Sequence, residues 1–254
     1  NTIITCIGYL FLMLPLIVVI ITSFGTGNRA VFPIEGFTLK WYVEALNNSD
    51  FFGSVLLSLK IASISALISS VLGIIVSLYI WKTEGKLKTI VELIFMTPMV
   101  VPTVVYAVAF LIMYASWKFI IPFWKLVLSY CAIQLPYIIR SVTAALYGLD
   151  SSLEEASLVL GAGPLKTLFK VTLPSIKRGI ISGVIFGFVV AFDEAVIIMF
   201  LRSASTVTYP LRLYSHIMEQ FTPMVSAFST IFIILSLIVI YIAERLFGLS
   251  KMYQ

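Results

Sequence analysis

The sequence predicts an all-α, multi-pass membrane protein with six spanning helices, and three observations predict it. Its 254 residues are 60% hydrophobic and 11% charged, with a mean hydropathy of +1.07. A soluble domain is nearer a quarter charged, so this much apolar surface needs a bilayer as its solvent. Six apolar runs each approach the ~20 residues that cross a ~30 Å hydrocarbon core. Lys and Arg collect in alternate loops, as the positive-inside rule describes. That rule also accounts for the formal net charge of +5 with no nucleic acid as partner.

The first run, 5–24, carries no charge. It is long enough to span and lacks a basic flank, so it reads as a helix rather than a cleavable signal. The outer loop 25–54 is polar and aromatic ("EGFTLKWYVEAL") and predicts a short surface helix over 40–46. The second run is 61–81, with Lys60 at its edge. The third, 90–117, has Glu92 near its start and contains Pro98 and Pro102, which leave carbonyls without intrahelical donors. Such a kink either lines a pathway, where Thr97, Thr103 and Tyr106 would bind, or packs against a neighbour. The fourth, about 119–139, has Lys125 in its first turns; Gln134, Pro136 and Tyr137 pose the same choice. The fifth is 180–201 and the sixth 224–243. Lys82, Lys86, Lys88, Arg140, Lys166, Lys170, Lys177, Arg178, Arg245 and Lys251 fall on one side. Arg29, Lys40, Lys118, Lys125, Arg202 and Arg212 fall on the other. The larger set places both termini in the cytoplasm. Residues 1–254 read as one transmembrane domain.

The one long loop on that side, 149–179, reads "LDSSLEEASLVLGAGPLKTLFKVTLPSIKRG". Ser151 or Ser152 is expected to cap a helix, with Glu154 or Glu155 three residues later completing a capping box. Both acids sit in the first turn, where the helix dipole favours them. Gly161 and Gly163 end that helix, and Pro164 suits the first position of a second. The second is amphipathic, with Leu165, Leu168 and Phe169 on one side and Lys166 and Lys170 on another; Pro174 is expected to end it. Physically this is either an interfacial loop or a knob for a cytoplasmic partner.

The fifth run holds two adjacent carboxylates, Asp193 and Glu194, in "VVAFDEAVIIMF". A charge inside a membrane costs roughly 2.5–3.5 kcal/mol on insertion scales, so such a group faces protein or water. Gly179, Gly183, Gly187, Ala191 and Ala195 recur every four residues, a stripe for close helix packing. On a continuous helix Glu194 falls within that stripe and reads as a packing acid, hydrogen-bonded to a neighbouring helix. Asp193 falls about 120° away, with Phe186 and Phe200 seven residues to either side. It either meets a cation, by charge and ring-face attraction, or bonds to a partner helix. Ile185, Val189, Phe192 and Val196 form the face expected to meet lipid.

Other chemistry is thin. Cys6 and Cys131 lie in apolar segments without metal or redox spacing and read as buried apolar-type residues. His216 is the single histidine and reads as a surface or gate residue. "GAGPLK" (Gly161 to Lys166) lacks P-loop spacing, so ATP is not expected to bind this chain that way. No catalytic residue set or metal cluster is visible.

The loop resembles the EAA signature of ABC-importer permeases. That pattern is E-A-A, three residues, G, nine residues, I-x-L-P, and here it reads Glu155-Ala156-Ser157, Gly161, then Val171-Thr172-Leu173-Pro174. Ser157 replaces the second Ala and Val171 replaces Ile. "TPMVVPTVVYAVAF", "FDEAVIIMFL" and "YPLRLYSHI" are similar to segments of the branch that includes the second permease of spermidine/putrescine importers. Arg202-Ser203-Ala204-Ser205 stands where that branch often has a Gly-Pro pair, and Ser226 where it often has Asn.

The resemblance implies a type I ABC-importer permease fold (MetI-like) in a bacterial inner membrane. It implies a heterodimer with a homologous permease and two ATPase subunits that bind ATP and Mg. An extracytoplasmic solute-binding protein would deliver a polyamine. The loop 149–179 would be the coupling helix, with Glu154, Glu155, Ala156, Ser157, Gly161, Ala162, Leu173 and Pro174 at the ATPase. Asp193, Glu194, Phe186, Phe200, Thr103, Tyr106 and Tyr137 are the candidates for the substrate path. Tyr209, Pro210 and Tyr214 are those for an outer gate. Opines, aminophosphonates, thiamine and ferric iron are alternative solutes. Outside the family, a secondary transporter driving protons through Asp193 and Glu194, or a structural subunit, stays open.

Overall fold

The structure, a computed structural model, describes residues 2–117, 120–203 and 206–247. Lys118, Phe119 (the expected start of the fourth span), Ala204, Ser205 and Lys251 lie outside the described residues. The elements are α1 (Thr2–Thr22), α2 (Lys40–Asn47), α3 (Ser49–Lys82), α4 (Lys86–Val100), α5 (Thr103–Ser116), α6 (Pro122–Tyr147) and α7 (Ser151–Val159). They continue with α8 (Pro164–Thr167), a π-helical turn (Leu168–Thr172), α9 (Leu173–Ser175), α10 (Lys177–Phe192), α11 (Val196–Leu201), α12 (Tyr209–Glu219) and α13 (Pro223–Phe247). The described residues form no strand beyond two isolated bridges, Gly25 to Phe37 and Ser203 to Thr206.

Among the described residues three helices are long and apolar enough to cross a membrane: Ile4–Thr22 of α1, α3 and α6. Two further pairs qualify together but are bent. These are α4 with α5, at 105°, and Pro164–Ser175 with α10, at 68°. Three expectations need correcting. The third run is broken at Val101 and Pro102, where the missing proline N–H and the extended residue before it stop α4. The fourth continues to Tyr147, so Arg140 lies on a helix and not in the loop. The fifth is interrupted after Phe192. The surface helix expected over 40–46 is α2.

The chain divides into two compact units, 56–210 and 1–55 with 211–254. The core of the first is α6, whose buried residues include Tyr130, Gln134, Ile138 and Val142. Two stripes of small residues press on it. On α10, Gly179, Gly183, Gly187 and Ala191 are buried as the sequence predicts. A Cβ on Gly183 would stand 3.0 Å from Ser141 Cβ, and one on Gly187 would stand 3.3 Å from Ile138 Cγ1. On α3 the stripe is Ser65, Ser69, Gly73 and Ser77, all buried. Ser69 donates to the Cys131 carbonyl (3.3 Å), Ser77 to the Ile139 carbonyl (3.2 Å), and the Gln134 amide to Ser65 Oγ (2.8 Å). Ile138 touches both stripes, because a Cβ on Gly73 would meet its Cγ2 at 2.7 Å. Small residues let backbones approach closely, and hydroxyls bonded across helices replace the water a bilayer lacks. Lys125 is absorbed likewise: its ammonium donates to the Tyr114 carbonyl (3.3 Å) at the negative C-terminal end of α5.

In the other unit α1 packs against α13, and the Thr22 hydroxyl donates to Ser226 Oγ (3.0 Å). The Trp41 indole donates to the Gly25 carbonyl (2.8 Å), which pins α2 over the loop. Phe51 stacks on Phe228 at 3.9 Å, and Arg212 lies 3.8 Å from Asp50. The outward side chains of α1 are apolar and exposed, and Cys6 is among the exposed residues rather than buried.

Candidate functional site

The loop 149–179 is a fastened helical hairpin. Its N-cap is Asp150, not Ser151 or Ser152: the Ser152 N–H donates to the Asp150 carboxylate at 2.9 Å. That backbone bond holds the Asp150 carboxyl below its ordinary range. At the far end Gly161 has φ 83°. The Gly161 N–H reaches the Leu158 carbonyl (3.0 Å) and the Ala162 N–H the Ser157 carbonyl (3.1 Å). This is a Schellman stop, and only glycine takes it without strain. Pro164 opens α8 as expected, but Pro174 does not end the run. The chain widens into the π turn at Leu168–Thr172, accommodates Pro174 within α9, and breaks at Ile176.

Two side-chain bonds lace α7 to this second arm. Ser157 and Thr167 share a hydrogen bond of 2.9 Å, and the Thr172 hydroxyl donates to the Glu154 carboxylate. Lys82 stands 3.9 Å from the other Glu154 oxygen. The two acids therefore differ. Glu154 is turned inward and fully engaged, its side chain 18% exposed. Glu155 is exposed and, among the described residues, has no hydrogen-bond or ion-pair partner. Ala156, Gly161 and Pro174 are exposed and Ala162 is half-buried, while Leu173 packs on the core cluster of Ile138, Val142, Leu146 and Ile176. The apolar side chains around the turn of the hairpin point away from the chain: Val159 and Leu160 are each 87% exposed, and Leu165 and Phe169 are exposed too. An apolar knob with one free carboxylate is built to be covered.

The second site is the break in the fifth run. Asp193 and Glu194 lie past the end of α10, so a continuous wheel does not describe them. Backbone bonds close α10 there, Asp193 N–H to Val189 carbonyl (3.1 Å) and Glu194 N–H to Ala191 carbonyl (3.3 Å). The Glu194 carboxylate then turns forward and accepts from the N–H groups of Val196 (2.7 Å) and Ile197 (3.0 Å). It caps α11, where the dipole favours an anion. Its partner is thus its own chain, and the link to α6 comes through the backbone, with the Tyr130 hydroxyl donating to the Glu194 carbonyl (3.1 Å). Asp193 is exposed. Its carboxylate lies within electrostatic reach of Tyr209. An aromatic ladder runs beside it, Phe188 to Phe192 at 6.0 Å and Phe192 to Tyr209 at 6.2 Å.

The other candidates separate. Phe186 pairs with Tyr137 (5.2 Å), about 10 Å along α10 from Asp193. Phe200 is partly exposed on α11, which packs against α5. Thr103 opens α5 just after the break, and Tyr106 starts a ring series through Phe110 and Tyr114 to Trp117. Tyr209 is buried and its N–H donates to Ser58 Oγ (2.8 Å); Pro210 is half-buried. In the other unit Tyr214 is exposed and His216 bonds to Thr222 (3.3 Å). Phe188, Phe192, Thr167 and Thr172 were not among the sequence candidates. For the loop threonines the signal was present, since each lies on the arm facing α7.

Residues 69–249 match the family described as binding-protein-dependent transport system inner membrane component, and the chain belongs to it. It is thus a multi-pass protein of the bacterial inner membrane and a transport subunit, not an enzyme. Among its relatives is the spermidine/putrescine transport system permease protein PotC of Escherichia coli (strain K12). The two are 29% identical over 243 residues, 96% of this chain and 91% of that protein. The putrescine transport system permease protein PotI of the same strain is 29% identical over 240 residues, 90% and 84% of the two chains. The fold is shared with a bacterial ABC transporter involved in import of the acidic polysaccharide alginate. The TM-score is 0.70 over 100% of this chain and 95% of that one, at 14% identity.

Proposed function

We propose that the chain is a transmembrane permease of an ATP-driven polyamine importer, in which it pairs with a homologous permease. Two ATPase subunits, which hold ATP and Mg, dock on the loop 149–179, and an extracytoplasmic binding protein delivers spermidine or putrescine to the outer loops. Both termini face the cytoplasm, as the distribution of Lys and Arg supports. The substrates in the relatives' names support the solute class. The observation that carries it is Asp193, an exposed carboxylate at a helix break beside a ladder of rings. Such a site attracts ammonium groups by charge and by ring faces.

The lacing of the hairpin gives the coupling step a route. ATP closes the ATPase dimer and displaces α7. The Ser157–Thr167 and Thr172–Glu154 bonds carry that displacement into the second arm and so to α10, whose small-residue stripe slides on α6. α10 ends at Phe192, one residue before Asp193, so motion at the knob would reach that acid.

The test is uptake of radiolabelled spermidine into proteoliposomes holding the full complex and its binding protein. ATP-dependent uptake competed by putrescine is expected. Uptake driven by a proton gradient without the ATPase would overturn the reading.

A further inference from the structure

A cavity of about 600 Å³ lies between α4 and α6, lined in part by Glu92, Arg140, Thr143, Met96, Met99 and Val100. An acid and a base face this one space. Among the described residues neither makes an ion pair within 4.0 Å. The Thr143 hydroxyl is buried and has no hydrogen-bond partner. Glu92 is half-buried and Arg140 is exposed, so in a bilayer both would meet lipid or its head groups, where an unpartnered charge is costly. A polyamine answers only Glu92, and a simple anion answers only Arg140. The lining asks for a ligand that carries both signs and an apolar part.

The position of the charges says which. Glu92 is six residues from the start of α4, or ~9 Å, and Arg140 is seven from the end of α6, or ~10 Å. The interfacial layer beyond the hydrocarbon is roughly 5–8 Å on each side. Because a tilted helix is shallower than it is long, these axial lengths are upper limits on depth, and both charges lie no deeper than about the boundary of head group and acyl chain. Met96, Met99 and Val100 follow one to two turns deeper along α4. Val100 is 81% exposed and α4 has no buried residue, so the cavity opens on an apolar outer face. Lys88, one turn from Glu92, donates its hydrogen bond to the Tyr147 hydroxyl at 2.6 Å and meets Glu92 only as a charge at longer range.

We propose that this cavity binds an aminophospholipid of phosphatidylethanolamine chemistry. The primary ammonium donates to Glu92, the phosphate accepts from Arg140 and Thr143, and an acyl chain lies along Met96 to Val100. Arg binds phosphate in a forked geometry, and basic pockets between membrane helices take lipid head groups. A choline head group keeps the phosphate and the charge but has no N–H for Glu92.

The complete importer is delipidated, reconstituted in nanodiscs of phosphatidylethanolamine, phosphatidylcholine or phosphatidylglycerol, and released for native mass spectrometry. Retention of the ethanolamine lipid about tenfold above the choline lipid is expected, the scale of one charge-assisted bond. Glu92→Gln brings that ratio near one, and Arg140→Gln lowers retention of both. If either variant fails to assemble, the lipid comparison on the unsubstituted complex decides alone. Equal retention of the ethanolamine and choline lipids, preference for the glycerol lipid, or a cavity that retains added spermidine in place of lipid overturns the proposal.

Discussion

Ser157 and Thr167, ten residues apart in sequence, share a hydrogen bond of 2.9 Å, and Thr172 reaches Glu154 from the same arm. The hairpin 149–179 is therefore one mechanical piece, with α7 unable to move alone. That distinction separates two adjacent glutamates that look alike in sequence.

Glu155 is exposed on the face proposed for ATPase docking and has no hydrogen-bond or ion-pair partner among the described residues, so charge reversal there should leave the fold untouched. Glu155→Lys is expected to abolish co-purification with the ATPase and to cut ATP-driven uptake at least tenfold, roughly the value of one lost charge pair at an interface. Helix content by circular dichroism stays unchanged. Intact co-purification and uptake would remove Glu155 from the docking face.

Glu154 is engaged, and its loss works through stability. Thr172→Val leaves that carboxylate with Lys82 alone, 3.9 Å away. A hydrogen bond to a charged group is worth about 1.5–3 kcal/mol. The variant is expected to melt earlier and to lose uptake, while Thr172→Ser restores both; thermal unfolding of the detergent-purified complex reports it.

The α10 stripe gives a graded series. A Cβ at Gly179 would overlap Ala145, one at Gly183 would stand 3.0 Å from Ser141 Cβ, and one at Gly187 would stand 3.3 Å from Ile138. Alanine is therefore expected to cost most at 179, less at 183 and least at 187, within the roughly 1–3 kcal/mol of overpacked cores. Equal expression and melting for the three would contradict the packing described.

The acids at the break also divide. Asp193→Asn is expected to lower spermidine uptake with assembly intact. Glu194→Ala removes the cap of α11 and costs about 1 kcal/mol, whereas Glu194→Gln keeps an acceptor and is tolerated. Transport that survives Asp193→Asn unchanged makes that residue structural.

Asp150 supplies a pH dependence. Its folded carboxyl titrates below the ordinary range because the charged form accepts the Ser152 N–H. The stabilisation is fully present above the unfolded value of ~3.9 and is lost as pH falls through the folded value. Protection of the α7 amides, exchange taken relative to its intrinsic rate at each pH, is expected to hold from pH 6 to about 4 and to fall below. In Asp150→Asn that fall is absent.

Much of this was legible. The α10 glycines and Ala191 show their four-residue period, and Gly161 and Pro164 mark the hairpin turn. The equal period at Ser65, Ser69, Gly73 and Ser77 was there to read and passes unnoticed beside the longer apolar run around it. The break after Phe192 was not legible, because apolar residues continue on both sides and the stripe runs on to Ala195. What starts a new helix there is the Glu194 carboxylate folding forward onto the amides of Val196 and Ile197, a choice no periodicity records. Pro174 misled for the converse reason: a π turn ahead of it absorbs the mismatch that normally ends a helix.

The forward turn of Glu194 has a consequence for how such chains diverge. Two neighbouring codons answer to separate pressures. Position 194 is held by the fold to a side chain that can accept two amide hydrogens. Position 193 is exposed and, on the proposed path, would answer to the cargo, so permeases that share this break and carry different solutes should differ at 193 while agreeing at 194.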